Sequence, residues 1–192
     1  MSYTKKAKEV IASELAENCK YDAGWVDEVS NILSTYTDNG YTVEDFEKFT
    51  AEQCSLISQA LKQYSDDKQF MDLILNRELN LTQMQIVLSA RANGVDKFEW
   101  LDQLANKNLH YAKGNYISQG MVDGFNMFDM IDPYAYDSDQ IYEIFAGIKS
   151  NVAYRRYCDP AIKSEKMGLI RHALQLGLNV TFDAVNNALV IE

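Results

Sequence analysis

The sequence predicts an all-α fold of stacked helix–turn–helix repeats, about five units, preceded by a helical N-terminal cap or subdomain. Three observations carry this expectation. One pattern recurs five times with the same internal spacing, starting at Gln53, Gln83, Lys113, Gln140 and Lys166. Four residues on stand Ile57, Val87, Ile117, Ile144 and Ile170, and seven on stand only small residues, Ala60, Ala90, Gly120, Gly147 and Ala173. Eleven on stand Tyr64, Gly94, Gly124, Asn151 and Gly177, followed about four residues later by Phe70, Phe98, Phe128, Tyr154 and Phe182. The starting points lie 30, 30, 27 and 26 residues apart, and a period of about 20–50 residues marks a stacked array of small units. Strand patterns are scarce, and the only two prolines, Pro133 and Pro160, each follow an Asp between repeats, where a helix should end.

Taken in order, residues 4–18 read as an amphipathic helix with Ala7, Val10, Ile11, Leu15 and Ala16 apolar. Residues 22–36 read as a second, with Trp25, Val26, Val29, Ile32, Leu33 and Tyr36 apolar. Thr37-Asp38-Asn39-Gly40 is a stop and turn, and Thr42 opens a short third helix through Phe46 and Phe49. Residues 1–48 are thus expected to form an acidic cap or subdomain, and residues 49–192 the repeat domain. Within each repeat, positions four and eight carry the apolar stripe, as in Ile144 and Ile148 or Ile170 and Leu174. The small position seven predicts another helix passing close by. Gly or Asn at position eleven predicts a helix stop, because those residues enter the left-handed conformation cheaply. The aromatic that follows is expected on a second, shorter helix. The Gln at position zero reads as structural: Thr50-Ala51-Glu52-Gln53 fits a capping box, as does Thr82-Gln83-Met84-Gln85, while Ser138 and Ser164 sit where N-caps belong. Three glycines, Gly114, Gly120 and Gly124, make Lys113 to Asp139 the candidate for a bend. Asn187-Ala188-Leu189-Val190-Ile191 is the best strand pattern, and it could equally end a helix.

At 192 residues and 47% apolar composition the chain can bury a core, as one domain or two small ones. Nothing near the N-terminus is apolar enough for a signal peptide, and no stretch approaches a membrane span. Three widely spaced cysteines, Cys19, Cys54 and Cys158, fit a reducing cytoplasm. Cys54 reads as a small core residue.

Formal net charge is −10. Between Glu9 and Glu52 stand eleven acidic residues against two basic ones, Lys20 and Lys48. Between Phe145 and His172 the sign reverses, with Lys149, Arg155, Arg156, Lys163, Lys166 and Arg171 facing only Asp159 and Glu165. Strong acidity argues against the whole molecule coating nucleic acid, since phosphate contacts dominate such affinity. The local basic patch still permits a limited DNA or RNA contact through Lys149, Arg155, Arg156, Lys163 and Arg171. Tyr154 and Tyr157 beside the Arg pair could stack on bases, although a core role for both fits the repeat better.

Residues with catalytic potential are few. His110 and His172 have no Asp or Cys at a triad spacing. No phosphate loop and no HExxH occurs. Asp129, Asp132, Asp137, Asp139 and Glu143 invite a calcium test, but the segment lacks the third alternating acid and the central Gly of a calcium loop. Asp137 and Asp139 are explained by a helix start. Paired acids such as Asp27-Glu28, Glu44-Asp45 and Asp66-Asp67 read as solvated charges. No cofactor, no metal and no enzyme activity is expected.

The runs Gln140-Ile141-Tyr142-Glu143-Ile144-Phe145-Ala146-Gly147-Ile148 and Lys166 to Val180 resemble a helical repeat of gut Firmicutes proteins carried on mobile elements. That repeat reads roughly QM-x-x-I-x-x-GL-x-x-G-(L/V)-(D/N)-V, often followed by Tyr and Asp-Pro, as in Tyr157-Cys158-Asp159-Pro160. The resemblance covers about residues 50–183, with Arg91 and Gly114 departing from it. Small acidic proteins of such elements include anti-CRISPR inhibitors. By that analogy the expected function is non-catalytic binding of a DNA-handling enzyme, most concretely a type II CRISPR nuclease, through Glu14, Glu17, Asp27, Glu28, Glu44, Asp45 and Glu47. A helical-repeat adaptor of a mobile element, or limited nucleic-acid binding at the basic patch, is the alternative. Self-association is also expected, because Leu189-Val190-Ile191 offers an apolar edge.

Overall fold

The computed structural model describes residues 5–17, 21–36, 39–75, 79–183 and 188–191. The chain is all-α, with ten α-helices among these residues and one small two-stranded sheet. It divides into two compact units, Met1–Leu88 and Ser89–Glu192. The boundary expected after residue 48 thus falls inside the first unit.

The first unit begins with α1 (Lys5–Glu17) packed on α2 (Ala23–Thr35). Asp22 caps α2 by accepting from the Trp25 N–H, and Trp25, Val26, Val29 and Ile32 are buried. Of the apolar positions expected in α1, Leu15 is buried but Val10 is 49% exposed. Thr42 caps α3 (Val43–Phe46), and Phe46 and Phe49 enter the core. Then α2 packs on α4 (Ala51–Tyr64), the first repeat helix, tied by the Trp25 indole N–H donating to the Phe49 carbonyl at 3.1 Å. Residues 1–48 therefore share a core with the first repeat. Thr37 and Asp38 of the expected turn lie outside the described residues; Gly40 beside them has φ 72°.

Each repeat supplies a long helix and a shorter partner element. These are α4 with α5 (Lys68–Ile74), and α6 (Leu81–Ala92) with α7 (Phe98–Leu104). Next come α8 (Tyr111–Val122) with a 3-10 turn (Met127–Asp129), and α9 (Ser138–Lys149) with another (Tyr154–Arg156). The last, α10 (Ser164–Gln175), is followed not by a helix but by a hairpin, β1 (Val180–Asp183) antiparallel to β2 (Ala188–Ile191). The alternation of Val180 and Phe182 opposite Ile191 and Leu189 suits a pleat with one sheltered face, and Val180 is buried. Asn187 lies outside the described residues. Position eleven ends four helices as expected: Gly94, Gly124, Asn151 and Gly177 all have positive φ, from 53° to 97°. The glycines in α8 do not bend it out of helix; the helix runs unbroken to Val122, and Gly124 lies past its C-cap.

Position seven is small for a different reason than expected. A Cβ on Gly120 would come within 2.7 Å of the Phe125 ring, and one on Gly147 would overlap the Tyr157 hydroxyl. The close neighbour is thus an aromatic from the segment after the same helix, not another helix. Three cap assignments also shift. Asn80, not Thr82, caps α6; Asp137, not Ser138, caps α9; and Lys163 precedes α10, with Ser164 as its first helical residue.

Candidate functional site

The recurrent Gln is a structural joint. In α4, Gln53 Oε1 accepts from the Thr50 N–H at 2.9 Å while its own N–H donates to Thr50 Oγ1. Asn80 with Gln83, and Asp137 with Gln140, form the same reciprocal pair. The amide nitrogen then reaches forward. Gln53 Nε2 donates to the Leu79 carbonyl at 3.0 Å, and Gln140 Nε2 to those of Pro160 and Ile162 at 3.0 and 2.7 Å. Lys113, at the same repeat position, donates to the Pro133 carbonyl at 3.4 Å. These side chains satisfy backbone groups that would otherwise be buried without partners, and Gln53, Gln83 and Gln140 are themselves buried.

The acids expected to bind a partner lie on α1, α2, α3 and just beyond. Glu14, Glu17, Asp27, Glu44, Asp45 and Glu47 are exposed, and Glu28 is half-buried. Several have local work. Asp27 pairs with Lys8 at 3.0 Å. Asp45 accepts from the Thr42 N–H at 2.8 Å, Glu44 from its hydroxyl, and Glu47 from the Tyr21 hydroxyl. Tyr21 in turn stacks on Trp25 at 4.0 Å. Such exposed contacts contribute well under 1 kcal/mol each, so the charges stay open to a partner.

The basic patch does not assemble into one surface. Arg171 is buried, and its Nε donates to Glu143 Oε2 at 2.7 Å. It is a core ion pair and not a phosphate ligand, which corrects the expectation for this residue. Lys149 pairs with Asp123 at 2.8 Å and lies over the Phe145 ring. Arg156 donates to the Asn179 side chain. Of the five cations, Arg155 and Lys163 are left as exposed side chains with no printed acid partner. Tyr157 is fully buried and donates to the Glu143 carbonyl at 3.1 Å.

Around Glu143 the structure gathers a cluster that residue spacing did not reveal. Its carboxylate rests 3.2 Å from where a Cβ on Gly168 would be, and it holds Arg171 from 28 residues away. The only sequence hint was Gly168, a small residue beside an Arg on one helix. Asp132 and Asp137 are helix caps, and Asp129 and Asp139 are exposed. Among the described residues, no group of three or more His, Cys, Asp and Glu is placed to hold a metal.

Neither histidine faces a nucleophile. His110 is the N-cap residue of α8, and His172 Nδ1 lies 2.8 Å from the Gly168 carbonyl. Burial pushes the Cys54 thiol up to about 12, with the charges of Glu28 and Asp22 adding to it, so it is no nucleophile at neutral pH. Burial also raises the Cys158 thiol, against a partly opposing contact with the Tyr136 hydroxyl at 3.2 Å. Burial raises Tyr157 as well, more than the nearby Arg171 lowers it. A cleft of about 470 Å³ in the first unit is lined by Tyr41, Asp66, Lys68, Met71, Asp72 and Leu75 among others. It brings no acid–base pair with a perturbed side chain to its walls. No helix among the described residues is long and apolar enough to cross a membrane. The chain matches no protein-family model, no curated protein and no solved structure.

Proposed function

We propose that this protein is a non-catalytic, stacked helical repeat protein that acts by binding another protein, most concretely as an inhibitor of a type II CRISPR nuclease. One observation supports the reading above others. The polar side chains that recur through the repeats are consumed inside the fold, while the acids of α1–α3 remain on its exterior. The unit that carries them, Met1–Leu88, holds 15 of the 28 acidic residues and 8 of the 18 basic ones. A surface of that sign suits a partner with a positive channel, such as a nuclease that grips nucleic acid by its backbone. The nucleic-acid alternative loses support, since Arg171, Lys149 and Arg156 already have partners.

The test is to mix the purified protein with guide-loaded type II CRISPR nuclease, before and after adding target DNA, and to follow cleavage and co-elution. Co-elution with lost cleavage is expected, and order of addition tells whether DNA entry or a later step is blocked. Full cleavage without co-elution removes the nuclease from the proposal and leaves the adaptor reading, to be pursued by affinity capture.

A further inference from the structure

Large apolar side chains that stay exposed are concentrated at the C-terminal end. Of the nine among the described residues, Leu169, Leu176, Leu178 and Val190 belong to α10 and the segment after it, at 54%, 79%, 43% and 42% exposure. The pattern of helix contacts explains why Leu169 lacks cover. Tyr116, three residues into its repeat, packs its ring on Tyr142 and Phe145 of the next long helix. Glu143, at the same place in its repeat, packs on Gly168 and Arg171 of the next. Leu169 holds that place in α10, and no helix follows α10 among the described residues. On the other side, α10 buries Met167, Ile170 and Arg171. Leu169 and Leu176, two turns apart, fall on its outer side.

The geometry points to a second copy of this chain as the occupant, with the two α10 helices packed antiparallel about a two-fold axis near Ala173. The spacing is self-complementary: Leu169 lies four residues before Ala173 and Leu176 three after it. An antiparallel pair therefore sets Leu169 of each copy opposite Leu176 of the other, and the small Ala173 lets the helices approach. Charge selects the same orientation. Lys163 and Lys166 stand at the start of α10, so antiparallel packing brings them to the other copy's helix C-terminus, where free carbonyls carry partial negative charge. Parallel packing would bring these lysines against their own copies. Leu178 and Val190 extend the patch toward the area a specific interface needs. This contact is separate from the acidic surface, so its test uses the purified chain alone and is independent of any nuclease.

Sedimentation velocity across a concentration series from low to high micromolar reads the contact directly. A reversible dimer is expected, and Leu169→Asp with Leu176→Asp should weaken it by about tenfold or more, with helix content by circular dichroism unchanged. Ala173→Cys, oxidised mildly, should form covalent dimer above the level of the parent chain, which controls for native thiols. A wild-type monomer at every concentration, a dimer untouched by the two Asp substitutions, or no added cross-link at position 173 would each overturn the proposal.

Discussion

Gly147 shows how one side chain's absence shapes its surroundings. Tyr157 lies against the bare backbone of α9 and bonds the Glu143 carbonyl through the space a Cβ would fill. Gly147→Ala should therefore destabilise the protein by about 1–3 kcal/mol through overpacking, despite alanine's better helix propensity. Tyr157→Phe in that background should recover part of the loss, measured by urea unfolding; equal stability of the double and single variants would contradict the clash. Glu143 and Arg171 form a buried pair with side-chain exposures of 15% and 10%. Removing one partner, as in Arg171→Ala, should cost about 3–5 kcal/mol, because the other charge is left buried. Replacing both with apolar residues of similar size should cost much less. Cys54 is a third case. Its thiol, pushed up to about 12 by burial, favours the fold in its neutral form. That stabilisation is complete below the pH at which an unfolded thiol ionises, about 8.5, and fades as pH rises toward the folded value. Thiol labelling followed by mass spectrometry should find Cys54 unmodified at pH 8 in the native protein and modified in denaturant.

At the scale of the element, the Gln of each repeat does two jobs that substitutions can separate. Gln140→Glu keeps an acceptor for the Asp137 N–H but loses both donations to Pro160 and Ile162. Gln140→Ala loses all three. Each buried unpaired group costs about 1–3 kcal/mol, so Ala should unfold at lower urea than wild type, and leave the Ile162 amide region more open to hydrogen exchange. The capping half of this role was legible in sequence, because a box depends on residues three apart. The assignment was off by one at Ser138 and Ser164 and by two at Thr82, since Ser, Thr, Asp and Asn compete for the same position and Asp137 and Asn80 won it. The reach to the next repeat was not legible, as it depends on where a loop 20 or more residues away lies. The hairpin after α10 was missed for a related reason: a four-residue apolar run has no periodicity to tell strand from helix.

Across the whole molecule, charge is the feature that composition states and structure distributes. Reversing Glu14, Glu17, Glu44 and Glu47 to Lys together should leave the fold intact, as all four are exposed, and should weaken capture by a basic partner at low salt. A variant that inhibits or binds as well as wild type would remove the acidic surface from the function. The same reasoning reads the basic segment differently once folded. Six cations in sequence look like a patch, yet Glu143, Asp123 and Asn179 take three of them.

What the sequence determined by itself is local: the long helices, their caps within a residue or two, and the left-handed stops at Gly94, Gly124, Asn151 and Gly177. Each follows from a period of 3.6 or from backbone sterics at one residue. Tertiary structure alone decided which polar groups are spent in the core, that residues 1–48 share a core with α4, and that aromatics fill the space over Gly120 and Gly147. Those outcomes rest on contacts between residues distant in the chain, whose partners no local pattern names.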